Sequence, residues 1–340
     1  MQLNSFKLKE IIISFALTVS TMAYAEQSSI APESSKPVVE QLVDTLTKLS
    51  GGPHKGYRAN HAKGIMLNGT FTPEKTAASL TKAPHMQNTP SPITVRFSDA
   101  TGVPTMPDTN GNASPHGIAI RFQLPEDATT DIVSISTNAF PASTPEEFLG
   151  LLNAVAASGD NVQSPKPIET FLGTHPAAKK FVEMPKPAPV SFATLAFYGV
   201  NAFKFTNAQG VTQYARYRIM PVAGQQSLNE TELKAASPNY LFEELPKRLA
   251  KGTIEYKLFA QLAKKDDVLN DGTVVWSDKN PQVLLGTLAL KSIDKDSANA
   301  EKAVMYNPLS LPDGIAPSDD PVLLARPGAY AVSFARRAGQ

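Results

Sequence analysis

The stretch from Thr253 to Leu262 alternates without a break, placing Ile254, Tyr256, Leu258, Ala260 and Leu262 on one face. A period of two over this length demands a strand with one buried side. Comparable short runs recur at Ile65–Phe71, Ile93–Phe97, Gly117–Phe122, Asp131–Ser136, Leu195–Thr206, Gln213–Met220 and Val283–Leu290, and Asn270-Asp271-Gly272 supplies a turn between two of them. So many short strands punctuated by turn residues predict an antiparallel sheet, most economically closed into a barrel. Helices are expected in between. Val38, Val39, Leu42, Val43, Leu46 and Leu49 recur at helical spacing up to Gly51-Gly52-Pro53. Pro73–Lys82, Asn229–Ala236 and Asn239–Lys251 read as helical patches, and Pro-rich 165–195 as short helices and connections. Thr144-Pro145-Glu146-Glu147 carries the hydroxyl cap, first-turn proline and acids of a helix start, with the helix expected to reach Ala157. A last helix is expected from Asp320-Pro321. The fold class is therefore α+β, an antiparallel barrel with inserted and C-terminal helices.

Neither repeats nor a linker divides the chain, so residues 37–340 are expected to form one domain after a polar, flexible lead-in at 26–36. The first 25 residues read as a signal peptide. Lys7 and Lys9 precede an apolar run from Ile11 to Ala23, and Ala23-Tyr24-Ala25 offers a small-x-small cleavage site before Glu26. The run is short for a membrane anchor, which needs about 20 apolar residues. Export to the periplasm without membrane insertion after cleavage is the expectation. Lys and Arg number 32 against 31 Asp and Glu, a balance that argues against nucleic acid as a partner. Cysteine is absent, which excludes disulfides, thiolate ligation, iron–sulfur clusters and cysteine nucleophiles. Any metal must then be held by His, carboxylate or Tyr oxygen.

Five histidines are present, and no HExxH, GxSxG, P-loop or strand-following GxGxxG motif accompanies them. Local chemistry read from residues alone stops at an exported α+β domain. Five blocks carry the reading further. Arg58-Ala59-Asn60-His61-Ala62-Lys63-Gly64, Thr94-Val95-Arg96-Phe97-Ser98, Pro115-His116-Gly117-Ile118-Ala119-Ile120-Arg121-Phe122, Asp131-Ile132-Val133 and Arg326-Pro327-Gly328-Ala329-Tyr330 occur in that order. They resemble the R-x-x-H-A-K-G, V-R-F-S, P-R-G-F-A-V-K-F, D-L-V and R-x-x-x-Y segments of the haem-catalase family. The ending from Pro317 to Arg337, together with Gly199-Val200-Asn201-Ala202-Phe203, is similar to the small, exported catalase-related peroxidases of that family.

The resemblance implies a haem-catalase barrel and haem as cofactor. Tyr330 would ligate the iron of ferric haem b as a phenolate. A free phenol holds its proton to about pH 10, so an adjacent cation is needed, and Arg326 lies one helical turn earlier on the same face. His61 would stand on the other side of the haem and move a proton between the two peroxide oxygens. Ser98 would fix the His61 tautomer. Arg58, Arg96 and Arg337 would bind the propionates through paired hydrogen bonds, with Arg336 as the alternative to Arg337. The implied distal amide falls on Ser136 by direct alignment and on Asn138 after a two-residue shift; Asn138 is taken because an amide both donates and accepts. Phe148 belongs either near this pocket or in a helix core. His116 replaces an Arg and receives no role, and His54, His85 and His175 are read as solvated.

The implied function is a haem peroxidase whose partners are peroxide and a small-molecule reductant, with weak or absent dismutation because the chain is shorter than a full catalase. Two alternatives belong to other classes: rearrangement of fatty-acid hydroperoxides, and a non-catalytic haem carrier. A homo-oligomer remains open, and nothing points to NADPH.

Overall fold

The computed structural model describes residues 36–339. The signal peptide and most of the lead-in lie outside the described residues. The strands are β1 (Gly64–Pro73), β2 (Ser91–Ser98), β3 (Gly117–Gln123), β4 (Thr129–Ile135), β5 (Phe197–Tyr198), β6 (Phe203–Thr206), β7 (Thr212–Pro221), β8 (Ile254–Leu262), β9 (Gln282–Ile293) and β10 (Ile315–Pro317). Every pairing is antiparallel, and the order β1-β2-β3-β4-β5-β7-β8-β9 returns to β1 as an eight-strand barrel. Closure leaves no bare edge along the ring, while β6 and β10 extend the sheet alongside β7.

Alternation decides which side chains fill the barrel. Leu67, Phe71, Val95, Phe97, Ile118, Ile120, Phe122, Tyr256 and Leu258 belong to one buried cluster. Phe97 stacks on Phe192 at 5.1 Å, and Phe71 meets Phe122 edge-on at 5.1 Å. An interior packed this way has no room for a ligand. The outward residues of β1–β4 face a different neighbourhood. Met66, Arg96, Ala119 and Val133 form one cross-strand row, and Gly64, Ser98, Gly117 and Ile135 form the next. The small residues among them, Ala119, Gly64, Ser98 and Gly117, leave a shallow floor on the barrel's outer wall.

Three helices meet over that floor: α1 (Val38–Leu49), α3 (Pro145–Ala156) and α9 (Pro321–Ala338). The expected caps are present. Thr144 Oγ1 accepts from the Glu147 N–H, and Asp320 Oδ1 accepts from Val322 and Leu323. Short helices α2 (Lys75–Leu80), α4 (Pro167–Thr174), α5 (Pro176–Glu183), α6 (Glu230–Ala235), α7 (Tyr240–Leu249) and α8 (Ser297–Ala303) complete the described residues.

Several sequence expectations are corrected. The single strand expected over Leu195–Thr206 is two, β5 and β6, separated by Gly199–Ala202. Gly199 passes so close to Tyr217 that a Cβ there would lie 3.2 Å from the Tyr217 Cβ, and the break turns Val200 and Asn201 toward the α9 side. The short helix expected within Pro73–Lys82 is α2, which starts after β1 has run on to Pro73, paired with Gly286. Helix α8 was unforeseen: Ser297–Ala303 has no apolar stripe. His85 is buried rather than solvated, packed on Phe122 at 4.8 Å; with burial opposing its charged form, its imidazole is pushed down to about 3.

Candidate functional site

Between the two floor rows and the three helices lies a cavity of about 270 Å³. Its helix-borne lining is largely apolar, with Leu42, Val43 and Leu46 from α1, Phe148 from α3 and Ala329 from α9. His61, Arg58, Arg96, Ser98, Arg326, Tyr330 and Arg337 all line it. These seven residues come from three separate segments, the loop before β1, strand β2 and helix α9, so the fold is what gathers them.

On the α9 side, a chain of hydrogen bonds runs from the helix start to the phenol. The Asp320 carboxylate, fully buried, caps α9 through Oδ1 and accepts from Asn201 Nδ2 through Oδ2 at 2.7 Å. Asn201 Oδ1 in turn accepts from Arg326 Nη1 at 2.8 Å. Arg326 Nε and Nη2 both donate to the Tyr330 phenol oxygen, at 3.1 and 3.0 Å. One helical turn places the guanidinium and the phenol side by side, and the cap fixes that turn in space. A phenol oxygen receiving two charged donors is well arranged to act as an anionic ligand.

On the barrel side, His61 sits in the loop that leads into β1 with φ +54°, a left-handed backbone that a β-carbon disfavours and that clusters at functional sites. Its Nδ1 lies 3.1 Å from Ser98 Oγ. Gly117 makes this approach feasible, since a Cβ there would come within 2.7 Å of Ser98 Oγ and 3.0 Å of His61 Nδ1. Burial, followed by the nearby Arg96 charge, pushes the imidazole down to about 4. The ring is thus neutral near pH 7 and able to take up a proton.

The third wall is cationic. Arg96 Nε donates to Glu301 Oε2 at 2.7 Å, and its Nη2 donates to the His61 carbonyl at 2.9 Å. Arg58 lies 3.9 Å from the same Glu301, and Arg58 and Arg337 both donate to the Val304 carbonyl, at 2.9 and 2.6 Å. Arg58 and Arg96 therefore share one carboxylate, and Arg337 joins Arg58 on the Val304 carbonyl. Burial and mutual repulsion press Arg58 and Arg337 below the usual guanidinium range. Since a guanidinium keeps its proton in proteins, that pressure amounts to a demand for anions. Arg337 Nε is also buried without a partner.

Asn138 does not line the cavity, and neither does Ser136, whose Oγ accepts from the His116 N–H at 3.0 Å. Strand β4 ends at Ile135, and the chain turns away before Phe140 returns to the cavity wall. The amides that do line it are Asn60 and Asn201. Both stand inside blocks that drew attention in the sequence, Asn60 next to His61 and Asn201 within Gly199–Phe203. Glu301 had no such signal, because it lies on the unforeseen α8. Of the paired candidates, Arg337 lines the cavity while Arg336 points away to Asp44 at 2.7 Å. Phe148 lines the cavity, where its ring packs on Phe140 at 4.9 Å. His116 is buried against Asp99, Nδ1 to Oδ1 at 2.9 Å, directly behind Gly117.

The fold and this cavity together define an antiparallel barrel protein with a site on its outer wall, lined by apolar helix faces and by clustered guanidiniums. The catalase profile matches residues 45–340, and the chain belongs to the catalase family. It is 32% identical over 303 residues to a catalase-related peroxidase of Mycolicibacterium paratuberculosis, covering 88% of this chain and 95% of that one. It is 31% identical over 290 residues to a catalase-related peroxidase of Synechococcus elongatus, covering 84% and 85%. Among solved structures, a fungal catalase superposes with TM-score 0.75 at 22% identity, over 96% of this chain and 66% of that one. A bacterial catalase gives 0.73 at 21%, over 99% and 70%. The family implies haem. The residues fit it: a small-residue floor for a planar ring, apolar helix faces above, a phenol backed by a guanidinium, and an arginine wall lacking two anions.

Proposed function

We propose that the protein is a haem-dependent peroxidase that reduces hydrogen peroxide or organic peroxides at the expense of an organic electron donor. The observation that carries this reading is a single cavity lined by both the Arg326–Tyr330 pair and the Ser98–His61 pair. Haem b, ferric at rest, supplies the redox chemistry once bound. Tyr330 would hold its iron as a phenolate, and Arg58, Arg96 and Arg337 would pair with the propionates. With Nδ1–H donating to Ser98 Oγ, the His61 Nε2 lone pair is free to accept a proton from one peroxide oxygen. Returning that proton to the other oxygen makes water, or an alcohol, the leaving group. Asn60, beside His61 on the cavity wall, is better placed than Asn138 to hydrogen-bond the peroxide.

Dismutation is proposed to be weak. Two relatives matched over 95% and 85% of their own length are described as catalase-related peroxidases. The lysines, apolar run and Ala23-Tyr24-Ala25 of the N-terminus support export to the periplasm with cleavage after Ala25. Oxygen release and dye oxidation by the purified holoprotein, measured on the same peroxide, test the activity. Dye oxidation should dominate; fast oxygen release without dye oxidation would overturn the proposal.

A further inference from the structure

A second cavity, of about 290 Å³, adjoins the first. The two share Val43, Arg58, Ala59, Ser333 and Arg337. The partition is thus the arginine wall itself, and an occupant of the second cavity would lie against the edge of the site that binds carboxylates. Peroxide, by contrast, must reach His61 in the first cavity.

Charge and shape narrow what the second cavity would take. Arg58, Arg96 and Arg337 against Glu301 leave a surplus of two positive charges, which the two propionates of a bound haem would balance. Beyond the partition, Arg336 and Lys36 both bind Asp44, at 2.7 and 2.9 Å. Arg336 and Asp44 both stand on the cavity wall, and together with Lys36, which lies off the wall, the cluster sums to one positive charge. Tyr57 also lines the cavity and is 47% exposed, offering a ring face for stacking. His54 has Nε2 at 2.9 Å from the Ser50 carbonyl. A carbonyl only accepts, so Nε2 donates there, and Nδ1 is the acceptor of that tautomer. One cation, one aromatic face and one imidazole acceptor together match a planar anion with a hydroxyl.

We infer that this second cavity docks the electron donor, a small aromatic carboxylate bearing an oxidisable hydroxyl. This rests on the peroxidase reading above and deepens it. For each peroxide reduced, two donors each give up one electron and the proton of one O–H group. Those two electrons and two protons convert hydrogen peroxide to two waters, so the step balances without a further reductant. Separate cavities let donor and peroxide bind without competing.

The test uses holoprotein with vanillate as the anionic probe and guaiacol as a neutral one of similar ring size. Arg336→Gln removes the local charge, and Thr47→Phe, from α1 on the wall of the second cavity alone, fills the space. Vanillate binding to the resting protein is followed by calorimetry, turnover by KM and kcat, and the peroxide step by stopped flow. Arg336→Gln should weaken vanillate binding and raise its KM about tenfold, leaving kcat, guaiacol and the peroxide step unchanged. Thr47→Phe should abolish vanillate binding and raise KM for both donors at an unchanged peroxide step. Unaltered vanillate binding and KM in both variants, with turnover intact, would overturn the donor site alone. Peroxide-dependent oxidation of neither donor by the parent protein would overturn the peroxidase reading, and with it the donor role of any binding that calorimetry then detects.

Discussion

The two sides of the cavity are built in opposite ways. On the α9 side, Arg326 and Tyr330 are one helical turn apart, and a single helix with a buried Asp320 cap sets their geometry. On the barrel side, His61 hangs in a left-handed loop, and its position depends on Ser98 from β2 and Gly117 from β3, each brought in by strand pairing. A local device keeps its geometry as long as its helix forms. A tertiary device fails when any of several distant segments shifts. The helix side should therefore tolerate change around it, and the barrel side should be sensitive to single methyl groups.

The largest effect is expected at the base itself. His61→Ala should slow the reaction with peroxide by about 10²- to 10⁴-fold, with haem content and the resting spectrum retained. An unchanged peroxide step would remove His61 from the chemistry. Gly117→Ala sharpens the contrast. The added methyl would press on both Ser98 Oγ and His61 Nδ1, and displacing the ring should cost about a hundredfold in the same step. Gly328→Ala on α9 is the control, since its Cβ would meet Val39 at an ordinary 3.4 Å; equal losses in both variants would erase the distinction between the two sides.

Asn201→Ala breaks the link between Asp320 and Arg326. Leaving buried charged groups short of a partner should lower stability by about 1–3 kcal/mol in denaturant unfolding, with the Arg326–Tyr330 contact kept. The pH dependence follows from His61. Its folded pKa, about 4, lies below the ordinary histidine value near 6.5. The peroxide reaction should hold from neutral pH down through about 5 and fall as pH drops through about 4, where the imidazole protonates. The same depression makes this residue's contribution to stability greatest above about 6.5 and lost progressively as pH falls toward 4. An acid limb centred near 6.5 would mean the ring is not buried as described. Ser98→Ala should give the smallest change, a few-fold loss in the peroxide step, because it removes one hydrogen bond to the ring and adds no bulk beside it.

The same contrast explains what could be read in the sequence. Arg326 and Tyr330 share a helix face by spacing alone, and the alternation in β8 and the caps at Thr144 and Asp320 depend on neighbours in the chain. Those features were legible. Glu301, the carboxylate shared by Arg58 and Arg96, was not: α8 carries no periodic apolar face, and the partners lie more than two hundred residues away. The distal amide failed for a related reason. Counting from Asp131 gives a position along the strand, but β4 ends at Ile135 and the chain turns off the floor before Asn138. Asn60 and Asn201 reach the cavity through loop geometry that no spacing encodes.

The central claim is that the Tyr330 oxygen, held by Arg326, is the bond between this chain and its iron. It is tested most directly by the absorption spectrum of purified holoprotein beside that of Tyr330→Phe, each with its bound haem quantified. Loss of the ferric high-spin bands of the parent, with haem reduced or differently ligated, is the expected result. An identical spectrum at full haem content in Tyr330→Phe would contradict it.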